Sequence, residues 1–392
     1  MAIRVWGGGG ANNLASNAAN WVGGVGLTGA ADSAQFDGTS AKDCTWDVLN
    51  GNYGSINDQA TYTGTITITT DDCRLTGTFA GGSIDFNDEN ITIDIVDFSG
   101  ATVYCGSGTI TGGTTNGLTF SGGTIYLETA TIKPKGHLLN TGATVDPGTS
   151  SVIFIWGLAT SITHNSQPFY NLTLLGSGFT YTIGSGTWTV RGAFMAEPAP
   201  GLCTVDLSNN PDVNFEGNVT IGVGTTWTHG TGTTTFSGTT IYTCGVVSTS
   251  DLGPVAITDS LTLASAIRFG AFTNSGTFDA GGAYTITCDG ATWTNTGTFI
   301  RQTSIVAFTS TTEITDMGGT TNKFYDVTIG AAANVIIDTK LNVEGTSTGT
   351  RTYRGTSSET TYTHDLTIAA GGVFASCPGG MAICTTPWWI GG

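Results

Sequence analysis

A short phrase recurs along the chain: one polar residue, then apolar-Thr-apolar. It stands at Asn90-Ile91-Thr92-Ile93, Asn171-Leu172-Thr173-Leu174 and Asn218-Val219-Thr220-Ile221. It returns at Ser260-Leu261-Thr262-Leu263, Asp326-Val327-Thr328-Ile329 and Asp365-Leu366-Thr367-Ile368. The starts lie 81, 47, 42, 66 and 39 residues apart. Those gaps are near whole multiples of roughly 20–23 residues, a usual length for a stacked repeat. In each phrase the two apolar side chains share one face of a strand and the Thr takes the other. Stacked turns would then fill a common bore with the apolar pairs and leave β-branched Thr outside, where it suits an exposed strand.

Other segments alternate in the same way, such as Gly64-Thr65-Ile66-Thr67-Ile68-Thr69 and Thr124-Ile125-Tyr126-Leu127. Gly122-Gly123 and Gly281-Gly282 offer the backbone freedom that sharp corners need. No window of eleven residues carries a capped 3.6-residue apolar period. The pattern predicts an all-β chain, a right-handed parallel β-helix (β-solenoid) with Trp/Gly-rich capping ends. Tandem β-sandwich modules are the alternative, and they call for hairpin turns every 8–12 residues or so.

Longer repeats support stacking. Thr119-Phe120-Ser121-Gly122-Gly123-Thr124-Ile125-Tyr126 returns as Thr235-Phe236-Ser237-Gly238-Thr239-Thr240-Ile241-Tyr242, with seven of eight positions alike. Ser151-Val152-Ile153-Phe154 followed by Phe169-Tyr170-Asn171-Leu172-Thr173-Leu174 resembles Ile305-Val306-Ala307-Phe308 followed by Phe324-Tyr325-Asp326-Val327-Thr328-Ile329. Unequal offsets imply turns gained or lost, which an array tolerates because each turn touches mainly its neighbours. Residues 1–50 read as an N-terminal cap or attachment segment, 51–375 as the repeat region and 376–392 as a C-terminal cap or docking tail. Trp6 and Trp21 in the first segment, and Trp388 and Trp389 in the last, are the candidates for capping or for docking onto a partner.

Composition narrows the chemistry. The 392 residues include 59 glycines and are only 10% charged, against about 25% in ordinary domains. The net charge is −17, with no cluster of bases, so nucleic acid and anionic membrane surfaces are poor partners. No apolar run approaches the roughly 20 residues of a membrane span. The N-terminus lacks a basic segment followed by an apolar run, so no secretory leader is expected. Eight cysteines carry no CxxC pair and read as small buried hydrophobes; only Cys377 and Cys384 suggest a disulfide, across a short loop.

Catalytic signatures are scarce. His137, His164, His229 and His364 form no recognisable triad and read as solvent-facing strand residues. Asp85, Asp88, Glu89, Asp94 and Asp97 are the densest acidic cluster, a weak candidate for Ca²⁺ and otherwise a solvated face. No cofactor other than that ion is expected. Two stacked carboxylates could meet the spacing of glycoside hydrolysis on any solenoid face, so spacing alone does not mark an enzyme. The chain reads as non-enzymatic. Trp227 and Trp293, each between two threonines, read as core residues if Thr faces outward; facing outward themselves, they would suit sugar faces.

The opening carries Trp6, a Gly run, Asn12-Asn13, Asn20-Trp21, Gly23-Gly24, Asp32 and Phe36-Asp37-Gly38. Together with the Phe-Tyr-Asn/Asp-apolar-Thr phrases, it resembles Gly/Thr-rich β-helix virion surface proteins of bacteriophages, related in pattern to bacterial surface and adhesin β-helix repeats. Leu27-Thr28-Gly29-Ala30 stands where those proteins commonly have a Pro. The resemblance implies a structural virion surface protein: a fibre, spike or capsid decoration subunit, made in the host cytoplasm. It implies contact with other virion proteins, a homo-oligomer with a trimer favoured, and a host glycan as ligand. The alternatives are a bacterial cell-surface adhesin passenger and a polysaccharide-degrading tailspike.

Overall fold

The computed structural model describes residues 2–362, except 52, 113–117, 156–159, 177, 198–201, 318–321, 331–332, 334, 338–341, 344–346, 349–350 and 354–360. The Asp365 phrase, His364, Trp156, Trp388, Trp389, Cys377 and Cys384 lie outside the described residues, as does the tail 376–392. The chain is an all-β solenoid of parallel strands and divides into two compact units, Met1–Ser250 and Asp251–Gly392.

In the first unit most turns of the chain supply strands to three ladders. The first ladder runs through Thr109–Gly112, Thr131–Lys133, Ser151–Phe154, Asn171–Leu175, Phe194–Glu197, Val219–Ile221 and Thr239–Cys244. The second runs through Leu118–Phe120, Leu138–Asn140, Thr160–Thr163, Phe179–Ile183, Cys203–Asp206 and Thr225–Thr228. The third runs through Cys44–Trp46, Thr65–Ile68, Ser83–Asp85, Thr102–Tyr104, Thr124–Tyr126 and Thr144–Asp146. Two longer strands, Cys73–Phe79 and Ile91–Phe98, bend from the first ladder into the second, with a register shift between Leu75 and Thr76. Every one of these pairings is parallel, which rules out tandem antiparallel sandwiches for the described residues. Turn length varies more than the phrase spacing suggests. Phe194 lies against Val219, 25 positions on, whereas Val255 in the second unit lies against Phe272, only 17 on.

The phrase works as its pattern predicts. Leu172 and Leu174 are fully buried and Thr173 lies on the outer side. Each such buried aliphatic contributes about 1.5–3 kcal/mol relative to exposure. The leading polar residue has a role that the sequence does not announce. The Oδ1 atoms of Asn90, Asn171 and Asn218 accept the backbone N–H of Thr109, Ala193 and Ile241, one turn further on, at 2.8–3.0 Å. These side chains tie successive turns together where the ladder ends. Asn171→Ala is expected to lower stability by about 1 kcal/mol, checked by urea unfolding; an unchanged midpoint would remove this role.

The two long repeats fare differently. In the Ser151 and Ile305 copies the paired strands occupy adjacent turns in the same relation, Val152 on Leu172 and Val306 on Val327. The Thr119 and Thr235 copies are not equivalent. Ile125 is buried and Tyr126 faces out, but Ile241 is 47% exposed and Tyr242 is buried. Phe120 and Phe236 are both buried, but pairing of Tyr242 with Val219 and Cys244 with Ile221 fixes the Ile-Tyr half of the second copy one residue out of phase, and a one-residue shift exchanges the two faces of a strand.

Gly123 and Gly281 do turn corners. Their φ values are +75° and +69°, and a Cβ would fall 2.2 Å and 1.7 Å from the carbonyl oxygens of Ala101 and Leu263. The N-terminal segment closes the stack with an aromatic cluster. Trp6 and Trp21 meet edge to face at 5.4 Å and both contact Phe36. Their indole N–H groups donate to the carbonyls of Lys42 and Ala15. Buried Asn20 accepts from the Gly10 N–H and donates to the carbonyls of Asn12 and Leu14, pinning the Gly-rich loop. Ladder pairing already begins inside residues 1–50, at Ile3–Val5 on Ser33–Gln35.

In the second unit three ladders recur. One holds Val255–Ile257, Phe272–Asn274, Thr292–Asn295, Thr312–Asp316 and Val335–Ile337. Another holds Ser260–Leu263, Thr277–Asp279 and Thr298–Ile300. The last holds Ile267–Phe269, Thr285–Cys288, Ile305–Phe308 and Asp326–Ile329. An inward amide ladder marks one corner, where Asn274 donates to Asn295 and Asn295 donates to the Met317 carbonyl.

Candidate functional site

The third ladder of the first unit presents two outward columns. One is built wholly of hydroxyls: Thr65, Ser83, Thr102, Thr124 and Thr144. The other reads Thr67, Asp85, Tyr104, Tyr126 and Asp146. The Tyr104 and Tyr126 rings stack with centroids 5.1 Å apart and planes 4° from parallel. Tyr104 is 38% exposed, which makes it the one large exposed aromatic side chain among the described residues. Parallel pairing creates the stack: identical positions on neighbouring turns lie about 4.8 Å apart, close to the spacing that offset aromatic rings prefer. Ile84, Val103 and Ile125, one residue earlier in each strand, are buried and hold the columns outward.

The corner after this face is equally regular. Asn87, Gly106, Glu128 and Gly148 occupy equivalent positions and all have φ between +48° and +65°. Carboxylates satisfy its backbone. Asp85 accepts the Asn87 N–H, Asp88 the Ser107 N–H, Glu128 the Gly106 N–H and Asp146 the Gly148 N–H. The result is a strip with acids at both ends, two aromatic rings between them and hydroxyls alongside.

The sequence-derived acidic cluster is therefore divided. Asp85 lies on the third face, and Asp88 and Glu89 lie at its corner. Asp94 sits on the long strand Ile91–Phe98, ion-paired with Arg74, and Asp97 accepts from the Ser121 hydroxyl further along that strand. Adjacency in sequence does not become adjacency in space, because the chain turns a corner between Asp85 and Asp94. Among the described residues no three His, Cys, Asp or Glu side chains are grouped to hold a metal ion.

Two other readings change or narrow. Trp6 and Trp21 are offered by the sequence for capping or for docking; both rings are buried in the cap and held by their own hydrogen bonds, which is the capping arrangement. His164 is buried rather than solvent-facing, and burial pushes its imidazole below its ordinary value. It lines a cavity of about 30 Å³ in the bore, beside Asn140 and Phe169, where the third face is interrupted. At that turn the strand is replaced by Asn165-Ser166-Gln167-Pro168, and one bridge, Phe169 to Val190, continues the ladder. Trp188, Trp227 and Trp293 are buried, in keeping with the core reading of the Thr-Trp-Thr triplets. Cys44, Cys73, Cys105, Cys203, Cys244 and Cys288 are free, buried thiols.

One ion-pair cluster was not foreseen. In the second unit the Arg268 guanidinium donates to Asp289 at 2.8 Å and to Asp251 at 3.3 Å. Burial, and then the neighbouring Asp251 carboxyl, hold Asp289 above its ordinary value. The arrangement clips three turns together. Its carboxylates are occupied by the same guanidinium, a poor starting point for attack across a glycosidic bond.

The Tyr–Asp strip was missed because its signal is a register and not a motif. Ser83-Ile84-Asp85, Thr102-Val103-Tyr104, Thr124-Ile125-Tyr126 and Thr144-Val145-Asp146 follow at 19, 22 and 20 residues, and aligning them exposes both columns. No helix among the described residues is long and apolar enough to cross a membrane. No protein-family model matches the chain, and neither a curated protein nor a solved structure is similar to it.

Proposed function

We propose that this chain is a structural surface protein of a bacteriophage virion, a fibre, spike or decoration subunit that displays solenoid faces to the host. The observation that carries this reading is the division of labour across each strand. The bore is filled with aromatic and aliphatic side chains, while the outer faces carry Thr, Ser, Asn and acids in regular columns. Such faces resist collapse and aggregation and offer repeated contact points along one direction. The resemblance of the Trp/Asn/Gly opening and of the Phe-Tyr-Asn/Asp phrases supports a surface role, and bacterial adhesin repeats share it with virion proteins. In this reading the partners are other virion proteins and further copies of the chain, with a trimer the favoured assembly, and a host glycan is the ligand.

Immunogold labelling with antibodies against the chain tests the assignment. Label on purified phage particles is the expected result. Label confined to the bacterial envelope would replace it with the adhesin reading.

A further inference from the structure

We propose that the Asp85–Tyr104–Tyr126–Asp146 strip binds an amine-bearing glycan, a run of hexosamine units with free amino groups. The inference deepens the surface-protein reading by naming a ligand class and the face that takes it.

Four features of the strip point to that class. Tyr104 and Tyr126 stack ring on ring on the outside of the sheet, Tyr104 exposed and Tyr126 half-buried. Carboxylates stand at both ends of that surface in the same column, Asp85 before Tyr104 and Asp146 after Tyr126. Glu128 and Asp88 add negative charge at the adjoining corner. The ladder strands that build the strip, Thr65–Ile68 through Thr144–Asp146, contain no Lys or Arg. An ammonium group held near phenol rings and between carboxylates gains both cation–π and charge attraction. The parallel hydroxyl column supplies donors and acceptors for sugar hydroxyls along the same direction. A neutral glycan would use the rings and hydroxyls and could hydrogen-bond to the acids, but would leave their charge uncompensated. A simple polycation would use the acids but neither the rings' apolar surface nor the hydroxyls. The ligand that uses all three carries amines on a sugar backbone.

The strip is also firmly seated. Asp85, Tyr104 and Tyr126 each follow a buried aliphatic, and the Asp85 and Asp146 carboxylates each accept a backbone N–H at 2.9 Å and 3.1 Å. Their positions are set before a ligand arrives, which limits the entropy lost on binding.

Isothermal titration of the full chain at pH 6 and low salt tests the proposal, with a β-1,4-linked glucosamine hexamer as probe. Its fully N-acetylated counterpart and hexalysine are the controls. The glucosamine hexamer should bind, about tenfold or more tighter than either control, and binding should weaken as salt rises. Tyr126→Ala, and Asp85→Asn with Asp146→Asn, should each weaken it about tenfold or more. The Asn variants keep an acceptor for the Asn87 and Gly148 N–H groups, so they separate lost charge from lost structure. An unchanged melting midpoint confirms the fold of each variant. Absence of binding by the parent chain, equal affinity for the N-acetylated hexamer or for hexalysine, or full affinity in the variants would each overturn the proposal. None of those outcomes touches the virion assignment, which the particle labelling decides on its own.

Discussion

Asp58→Asn should make the protein more stable at pH 8 and remove much of its pH dependence between about 4 and 7. Asp58 ends the strand Ser55–Asp58 with its side chain inward, 2% exposed. Neither carboxyl oxygen has a hydrogen-bond partner. Burial raises its pKa to about 7 from an ordinary 3.8, opposed in part by the nearby Gly81 backbone. The folded chain therefore prefers the neutral acid. This group costs almost nothing below about pH 3, where it is protonated in both states. It becomes destabilising as pH climbs from about 4 towards 7, because the unfolded chain gives up the proton first. Above pH 7 the penalty levels off. A shift of about three units corresponds to a penalty on the order of 4 kcal/mol. The amide is neutral throughout and escapes that penalty. Urea unfolding of both proteins at pH 4, 6 and 8 checks this. Parallel pH profiles would mean that Asp58 has a partner that the geometry does not reveal.

The second large effect is expected at Trp293. Its ring is fully buried and meets five others: Phe272 at 4.3 Å, Phe324 at 5.3 Å, and Phe308, Phe299 and Phe269 at 5.9–6.1 Å. These rings come from all three ladders and from the Phe324 phrase, so the indole is the hub of the second unit. Trp293→Ala should cost about 3–5 kcal/mol, through lost burial and the cavity left behind. Trp293→Phe should cost less than half as much. It keeps most of the ring contacts and removes an indole N–H that has no hydrogen-bond partner. Cys288 offers a local readout. It is buried in the same unit and burial pushes its thiol up to about 12, so it resists alkylation while the unit stays closed. Mass spectrometry of the Cys288 peptide after pulsed alkylation should show faster labelling in Trp293→Ala than in the parent. Equal labelling would show that the cluster does not govern opening of this unit.

The two residues also mark what was legible beforehand. Thr292-Trp293-Thr294 puts Trp293 on the face opposite its threonines, and so in the core once Thr is taken to face outward. The solenoid itself came from the same source, the two-residue period combined with a long-range spacing. Asp58 could not be placed that way. Ser55-Ile56-Asn57-Asp58 alternates correctly, and its inward position falls on an acid, which a hydrophobicity rule sends outward. The failed equivalence of the Thr119 and Thr235 copies has a related cause. Letter identity is kept while the phase of inside and outside slips by one, and only the partner strand reveals it. The Tyr–Asp strip needed still more, the true length of each turn, because its columns exist only once the turns are stacked in register.

The interruption at residues 164–169 has a mechanical meaning. In a stack of turns, a pull along the stacking direction is carried through one rung after another, as through links in series, and yields at the weakest. Within the first unit the third face crosses that turn by a single bridge at Phe169, with a cavity behind it. Under tension the third face should part there first, leaving the other two ladders to carry the load.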